Sequence, residues 1–174
     1  VDTEGGGQFD PFEEGWMYRK MITVNHDKVG GNLIDFPVLI SISDDDLRDK
    51  AQDDGDDILF MYDAGNASKL YHEIELFDKI NGELVVWVNI PILFSTKDTV
   101  FYMYYGNPTA SNQQNVTGTW NSNYIMVQHL NESSGTLLDS TSNNNHGTNN
   151  GATYNSSSKI DGGYDFDGSD NISC

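Results

Sequence analysis

The grouping of apolar residues constrains this chain more than any other feature. Residues 16–24 (WMYRKMITV) alternate bulky and polar side chains, and residues 35–42 (DFPVLISI) form a short run rich in β-branched residues. Four more runs follow: ILFMY within 53–63, LYHEIELF within 69–78, ELVVWVNI within 82–91 and TVFYMYY within 98–107. Each is roughly five to eight residues long and is closed off by Gly, Asn, Asp or Pro, the signature of a strand between turns. No segment has the length and 3.6-residue period of a substantial helix. Only DDDLRDKAQ (44–52) predicts a helical turn, with Asp44 or Asp45 as its N-cap. Short strands spaced roughly 10–15 residues apart predict an all-β chain folded as a jelly-roll-like β-sandwich. Strand periodicity places Phe101, Met103 and Tyr105 on one face, expected in the core, and Tyr102 and Tyr104 on the other.

Charge narrows the partners. Acidic residues number 27 against 9 basic ones, a net charge of −18, so nucleic acid and anionic membranes are repelled. Twenty of those acids are Asp and seven are Glu. Asp favours turns, caps and hard-cation sites over regular elements. No run of 18 apolar residues exists, so no membrane insertion is expected from this chain. The lone cysteine, Cys174, rules out an internal disulfide. Five asparagines, Asn66, Asn115, Asn131, Asn155 and Asn171, begin glycosylation acceptor triplets.

The texture changes along the chain. Residues 1–14 are Gly-rich and aperiodic, and read as a flexible or strand-donating arm. Residues 15–118 hold the predicted sandwich, with a polar connector from 107 to 120. Residues 119–174 open with YIMVQHL (124–130), which reads as a strand, and continue into a long Asn/Ser/Gly/Thr tract. So few apolar residues cannot bury a core of their own. This part is expected either to pack on the first or to be the opening of a larger domain.

Six ordered motifs carry a resemblance. They are Trp16-x-Tyr18-Arg19, Asp35-Phe36-Pro37-Val38, Asp54-Gly55-x-Asp57-Ile58-x-Phe60, Glu73-Ile74-Glu75, Trp87-Val88-x-Ile90-Pro91 and Tyr102-Met103-Tyr104-Tyr105-Gly106-Asn107. Over roughly residues 15–110 they resemble the domain of unknown function 2341, found in surface or secreted proteins of archaea and bacteria. That resemblance implies a β-sandwich, export and no established activity. Residues 123–174 are similar to the start of a concanavalin A-like, laminin-G-like jelly roll, through His129-Leu130-x-Glu132, Gly135, Asp139-Ser140, Asn145-His146-Gly147, Gly162-Gly163 and Phe166-Asp167-Gly168.

Two constellations suggest chemistry. Glu73 and Glu75 share a strand face, and a bulge at Leu76-Phe77 would add Asp78 to it. Two carboxylates about 5 Å apart suit a retaining glycosidase, and the run resembles the acid-bearing strand of certain β-glucanases. Calcium is the chemistry preferred over it, drawn to Asp44–Asp46, to Asp53–Asp57, or to Asp139 with Asp165 and Asp167. The concanavalin-like resemblance implies Glu132, Asp139 and Asp167 as its ligands. The four histidines lack zinc spacing, and no nucleophile-elbow or phosphate-loop sequence occurs. The expected function is a non-catalytic, extracellular adhesion module on a cell surface, recognising a glycan or a surface protein and stabilised by calcium. Its alternatives are a filament or surface-layer subunit that polymerises with itself by strand exchange, and a glycoside hydrolase using Glu73, Glu75 and Asp78.

Overall fold

The computed structural model describes residues 9–62 and 68–174. Seven strands build an antiparallel sandwich: β1 (Tyr18–Val24), β2 (Leu33–Ser43), β3 (Leu59–Met61), β4 (Lys69–Leu70), β5 (His72–Asp78), β6 (Glu83–Leu93) and β7 (Thr99–Tyr105). One sheet has the order β1-β7-β3-β4 and the other β2-β6-β5. The all-β sandwich read from the sequence is the fold. Its core is the alternate residues of the two inner faces: Ile40, Leu84, Val86, Val88 and Ile90 from one sheet meet Phe60, Phe101, Met103 and Tyr105 from the other. Tyr104 faces outward, as its parity requires, and is buried beneath Trp16 with Leu59 and Met61.

The helical turn is α1 (Asp45–Lys50), and Asp44 caps it by accepting from the Asp46 N–H. Two sequence motifs far apart in the chain meet at Asp57, which is fully buried. Its carboxylate accepts from the main-chain N–H groups of Gln52 (2.9 Å), Gly106 (2.6 Å) and Asn107 (3.0 Å). Its carbonyl accepts from the Trp16 indole at 2.6 Å. Gly106 turns there with φ +84°, and any side chain would strike the Tyr18 ring.

After β7 the connector runs beside β5. The Asn115 N–H bonds the His72 carbonyl, and Gln114 Oε1 accepts from the Ile74 N–H, so this sheet edge is occupied. A short helix, α2 (Val116–Thr119), leads to Trp120. The expected strand at 124–130 does not form. Its backbone is held instead by side chains: Asn143 and Asn145 donate to the Ile125 carbonyl, and Asp139 accepts from the Val127 N–H. Beyond it lie β8 (Thr136–Leu137), β9 (Gly147–Asn150), β10 (Thr153–Asn155), β11 (Gly163–Asp165) and β12 (Asn171–Ser173). They pair as β12-β9-β8 and as a β10-β11 hairpin. Within 119–146, Thr119 and Asn121 bond β6 and β2 through Asn89 and the Asp35 carbonyl, and Trp120, His129 and Ser140 reach back to the sandwich at β5.

Candidate functional site

The outer face of β5 and β6 is where that return lands. Glu73 pairs in register with Trp87, and the ladder then slips between Ile74 and Leu76, leaving Glu75 as the extra residue of a β-bulge. The bulge is thus one position earlier than the sequence suggested. Glu73 and Glu75 do share a face. Asp78 does not join them: it sits at the hairpin turn, where its carboxylate accepts from the Ile80 and Asn81 N–H groups and the Asn81 amide.

His129 lies between the two glutamates. Its Nε2 is 3.2 Å from Glu73 Oε1 and its Nδ1 is 3.3 Å from Glu75 Oε1. The Nε2–H lacks the alignment of a hydrogen bond, so its link to Glu73 is an ion pair, carried by charge. Each carboxylate has further donors. Glu73 accepts from the Trp120 indole (2.6 Å) and the Ser140 hydroxyl (2.5 Å), and Glu75 from the Trp87 indole (2.7 Å). Trp87 and Trp120 are in contact, with ring centroids 5.2 Å apart. Side-chain exposure is 8% for Glu73, 9% for Glu75 and 13% for His129, so the cluster is largely shut off from solvent.

Burial alone would lower the His129 pKa, but the flanking Glu73 and Glu75 outweigh it and hold it up at about 10. Burial works to raise the Glu75 carboxyl, and His129 and Trp87 overcome this to leave it below its ordinary value. A single imidazolium therefore stands between two buried carboxyl groups, each of which also accepts from an indole.

The clasp borders a cavity of about 260 Å³, lined by Ile74, Val116 and Leu138 together with Glu73, Glu75, His129, Asn131, Glu132, Asp139, Ser140 and His146. His146 Nδ1 accepts from the Asp139 N–H at 2.9 Å, which places the proton of the neutral ring on Nε2. Glu132 Oε1 accepts from the Leu138 N–H.

The residues expected to ligate calcium are arranged as follows. Glu132 and Asp139 line the same cavity. Asp139 holds four donors: the N–H groups of Val127, Thr141 and Asn145 and the Thr141 hydroxyl. Asp167 is elsewhere, in the loop before β12, accepting from the Ser169 N–H and hydroxyl. Among the described residues no three His, Cys, Asp or Glu side chains converge to hold a metal ion. Of the glycosylation acceptors, Asn66 lies outside the described residues, Asn115 and Asn171 are exposed, and Asn131 and Asn155 are half-buried.

Sequence reasoning missed His129, Trp87, Trp120 and Ser140. Trp87, His129 and Ser140 stand within the resemblance motifs without a role, and Trp120 closes the polar connector with none.

Comparison with known proteins adds one finding. A family model described as "Domain of unknown function (DUF2341)" matches residues 54–151, more than half of the chain. It lies further along than the motif resemblance, leaving out Trp16-x-Tyr18-Arg19 and Asp35-Phe36-Pro37-Val38 and taking in every member of the clasp. No curated protein and no solved structure matches.

Proposed function

Because the chain belongs to the DUF2341 family, a domain of unknown function, we propose that it serves as a non-catalytic binding module of a cell-surface or secreted protein, recognising a sugar unit of a glycan. One observation carries this reading: the cavity beside the clasp sets polar groups of both senses around an apolar floor. His146 Nε2–H donates, Glu132 accepts, Asn131 does either, and Leu138, Ile74 and Val116 supply the apolar surface. A sugar ring has the same make-up, with hydroxyls at its rim and C–H groups on its faces. The volume of about 260 Å³ is below the 300–1,000 Å³ of pockets for drug-sized ligands, which suits a single ring.

The clasp supports the non-catalytic half. A glycosidase needs one carboxyl free to attack or to activate water, and another free to protonate. Glu73 and Glu75 are instead committed to His129, two indoles and a hydroxyl, with Asp78 in the turn. An acidic, asparagine-rich sequence with five acceptor triplets accords with an extracellular location.

Ligand-observed NMR against a panel of mono- and disaccharides, with calcium and with chelator, tests the proposal. Saturable contact that Leu138→Lys abolishes supports it. Silence from every sugar in both arms rejects glycan recognition.

A further inference from the structure

A second surface has different chemistry. The outer face of the β2-β6-β5 sheet is covered at one end by Trp120 and His129, and the end formed by Leu39, Leu76 and Val85 is covered only in part, with Val85 buried and Leu39 exposed. There a cleft of about 580 Å³ separates these three residues from Ile160. Leu39 is 42% exposed. The cleft adjoins β2, which pairs with β6 alone among the described residues; beyond Asp35, whose carbonyl Asn121 and Asn89 occupy, no strand pairs with its other flank. Pro37, which has no N–H to offer a neighbour, is a residue that sheets tolerate on such a strand.

Charge says what fits. Glu83 and Asp161 line the cleft, and Asp78 stands opposite Glu83 in the ladder. None of these three has a cationic partner among the described residues, and Lys159 is the one cation in the cleft. Asp44 and Asp46, where β2 ends, are partly neutralised by Lys20. The surface is therefore apolar, acidic at its rim and edged by an open strand.

We propose that this edge and cleft take up an extended, basic segment of a partner protein by strand addition. An apolar side chain of the added strand enters the cleft over Leu39 and Val85, and basic residues two positions away, on the same face of that strand, meet Glu83 and Asp161. Main-chain bonds to β2 supply affinity, and the cleft supplies selectivity for alternate side chains. Contact there also extends the apolar cover already begun on the same sheet face by Trp120. A second copy of this chain fits poorly: it carries the same net charge of −18, and residues 1–14 contain five acids and no base.

Fluorescence anisotropy with a short peptide of repeating Lys-Thr-Leu-Thr, which sets lysine and leucine on the same strand face, titrated with the full chain, is the test. Three controls accompany it: the glutamate–leucine counterpart, the lysine peptide N-methylated at alternate residues, and the Leu39→Gln protein. Leu39→Gln removes the apolar contact without changing charge. The proposal expects saturable binding that weakens about tenfold in Leu39→Gln and falls as salt rises. It also expects loss of binding on N-methylation and none to the glutamate peptide. Binding indifferent to Leu39→Gln or to N-methylation would mean general attraction to an acidic surface, and overturns it. So does self-association of the chain, by light scattering, that the peptide fails to inhibit, which would make a second copy the occupant.

Discussion

The Trp120 indole donates a 2.6 Å hydrogen bond to Glu73 Oε2, across 47 positions of sequence. It ties the start of the C-terminal segment to the middle of the sandwich at a buried carboxylate. Ser140 and His129 add to the same anchor. Removing the charge of Glu73 while keeping its shape tests how much of the docking depends on it.

Glu73→Gln deprives His129 of one partner and puts an amide where Trp120 and Ser140 need acceptors. His129 keeps Glu75 as its counter-ion, so the expected loss is about 1.5–3 kcal/mol, the scale of hydrogen bonds to a charged group. Urea denaturation measures it, and proteolysis should now cut within residues 119–146 while the sandwich resists. An unchanged midpoint and cleavage pattern would mean that the segment is held by packing alone.

The clasp also has a pH signature. The folded pKa of His129, about 10, stands above its ordinary 6.5. A raised basic group stabilises fully below the unfolded value and is lost as pH climbs through the folded one. Glu75, lowered from 4.5, acts in the opposite sense: its contribution is present above 4.5 and is lost as pH falls through its folded value. The stability gap between the parent and His129→Gln should therefore be widest between pH 4.5 and 6.5 and close towards pH 10. Melting temperatures of both proteins across that range check it; a gap that widens above pH 7 contradicts the assignment.

The strands were readable because a half-buried strand writes its two faces into alternate residues. Phe101, Met103 and Tyr105 face the core as parity requires, and Asp44 caps α1 because Asp is good at little else beside a short helix. Glu73 and Glu75 were readable as a same-face pair, but what they do was not. Their partner His129 lies more than fifty positions away, on a segment that looks like a strand yet is pinned by asparagine side chains. No local pattern encodes that. The bulge was legible to within one position, expected at Leu76-Phe77 and found at Glu75, where the extra residue meets the Trp87 indole and the His129 imidazole.

Asp57 was readable as part of a motif but not as the acceptor for three main-chain N–H groups. Asp57→Ala strands all three in a buried place, and the expected cost is about 3 kcal/mol. Asp57→Asn retains one oxygen and should fall between. Equal stability of all three proteins in guanidinium would remove Asp57 from the list of residues that hold the β7 turn to the loop before β3.

His72 is the reverse case, a buried polar residue that the fold does not need as such. Both ring nitrogens lack a hydrogen-bond partner, and the ring meets Phe60 edge-on at 5.1 Å. Burial, then the nearby Lys69, push its pKa down to about 4, with the Leu70 and Ile58 carbonyls giving a partial offset. A basic group lowered on folding takes its proton first in the unfolded chain, so it drains stability as pH drops from 6.5 to 4. His72→Leu has nearly the same volume and no polar atoms to leave unpaired. At neutral pH it should match the parent within about 1 kcal/mol, because replacing an unsatisfied polar group by an apolar one is close to neutral. Below pH 6.5 it should become progressively more stable than the parent. Urea midpoints at pH 7, 5.5 and 4.5 decide it. A variant that is weaker at pH 7 and does not gain at 4.5 would mean that the His72 nitrogens are satisfied in solution.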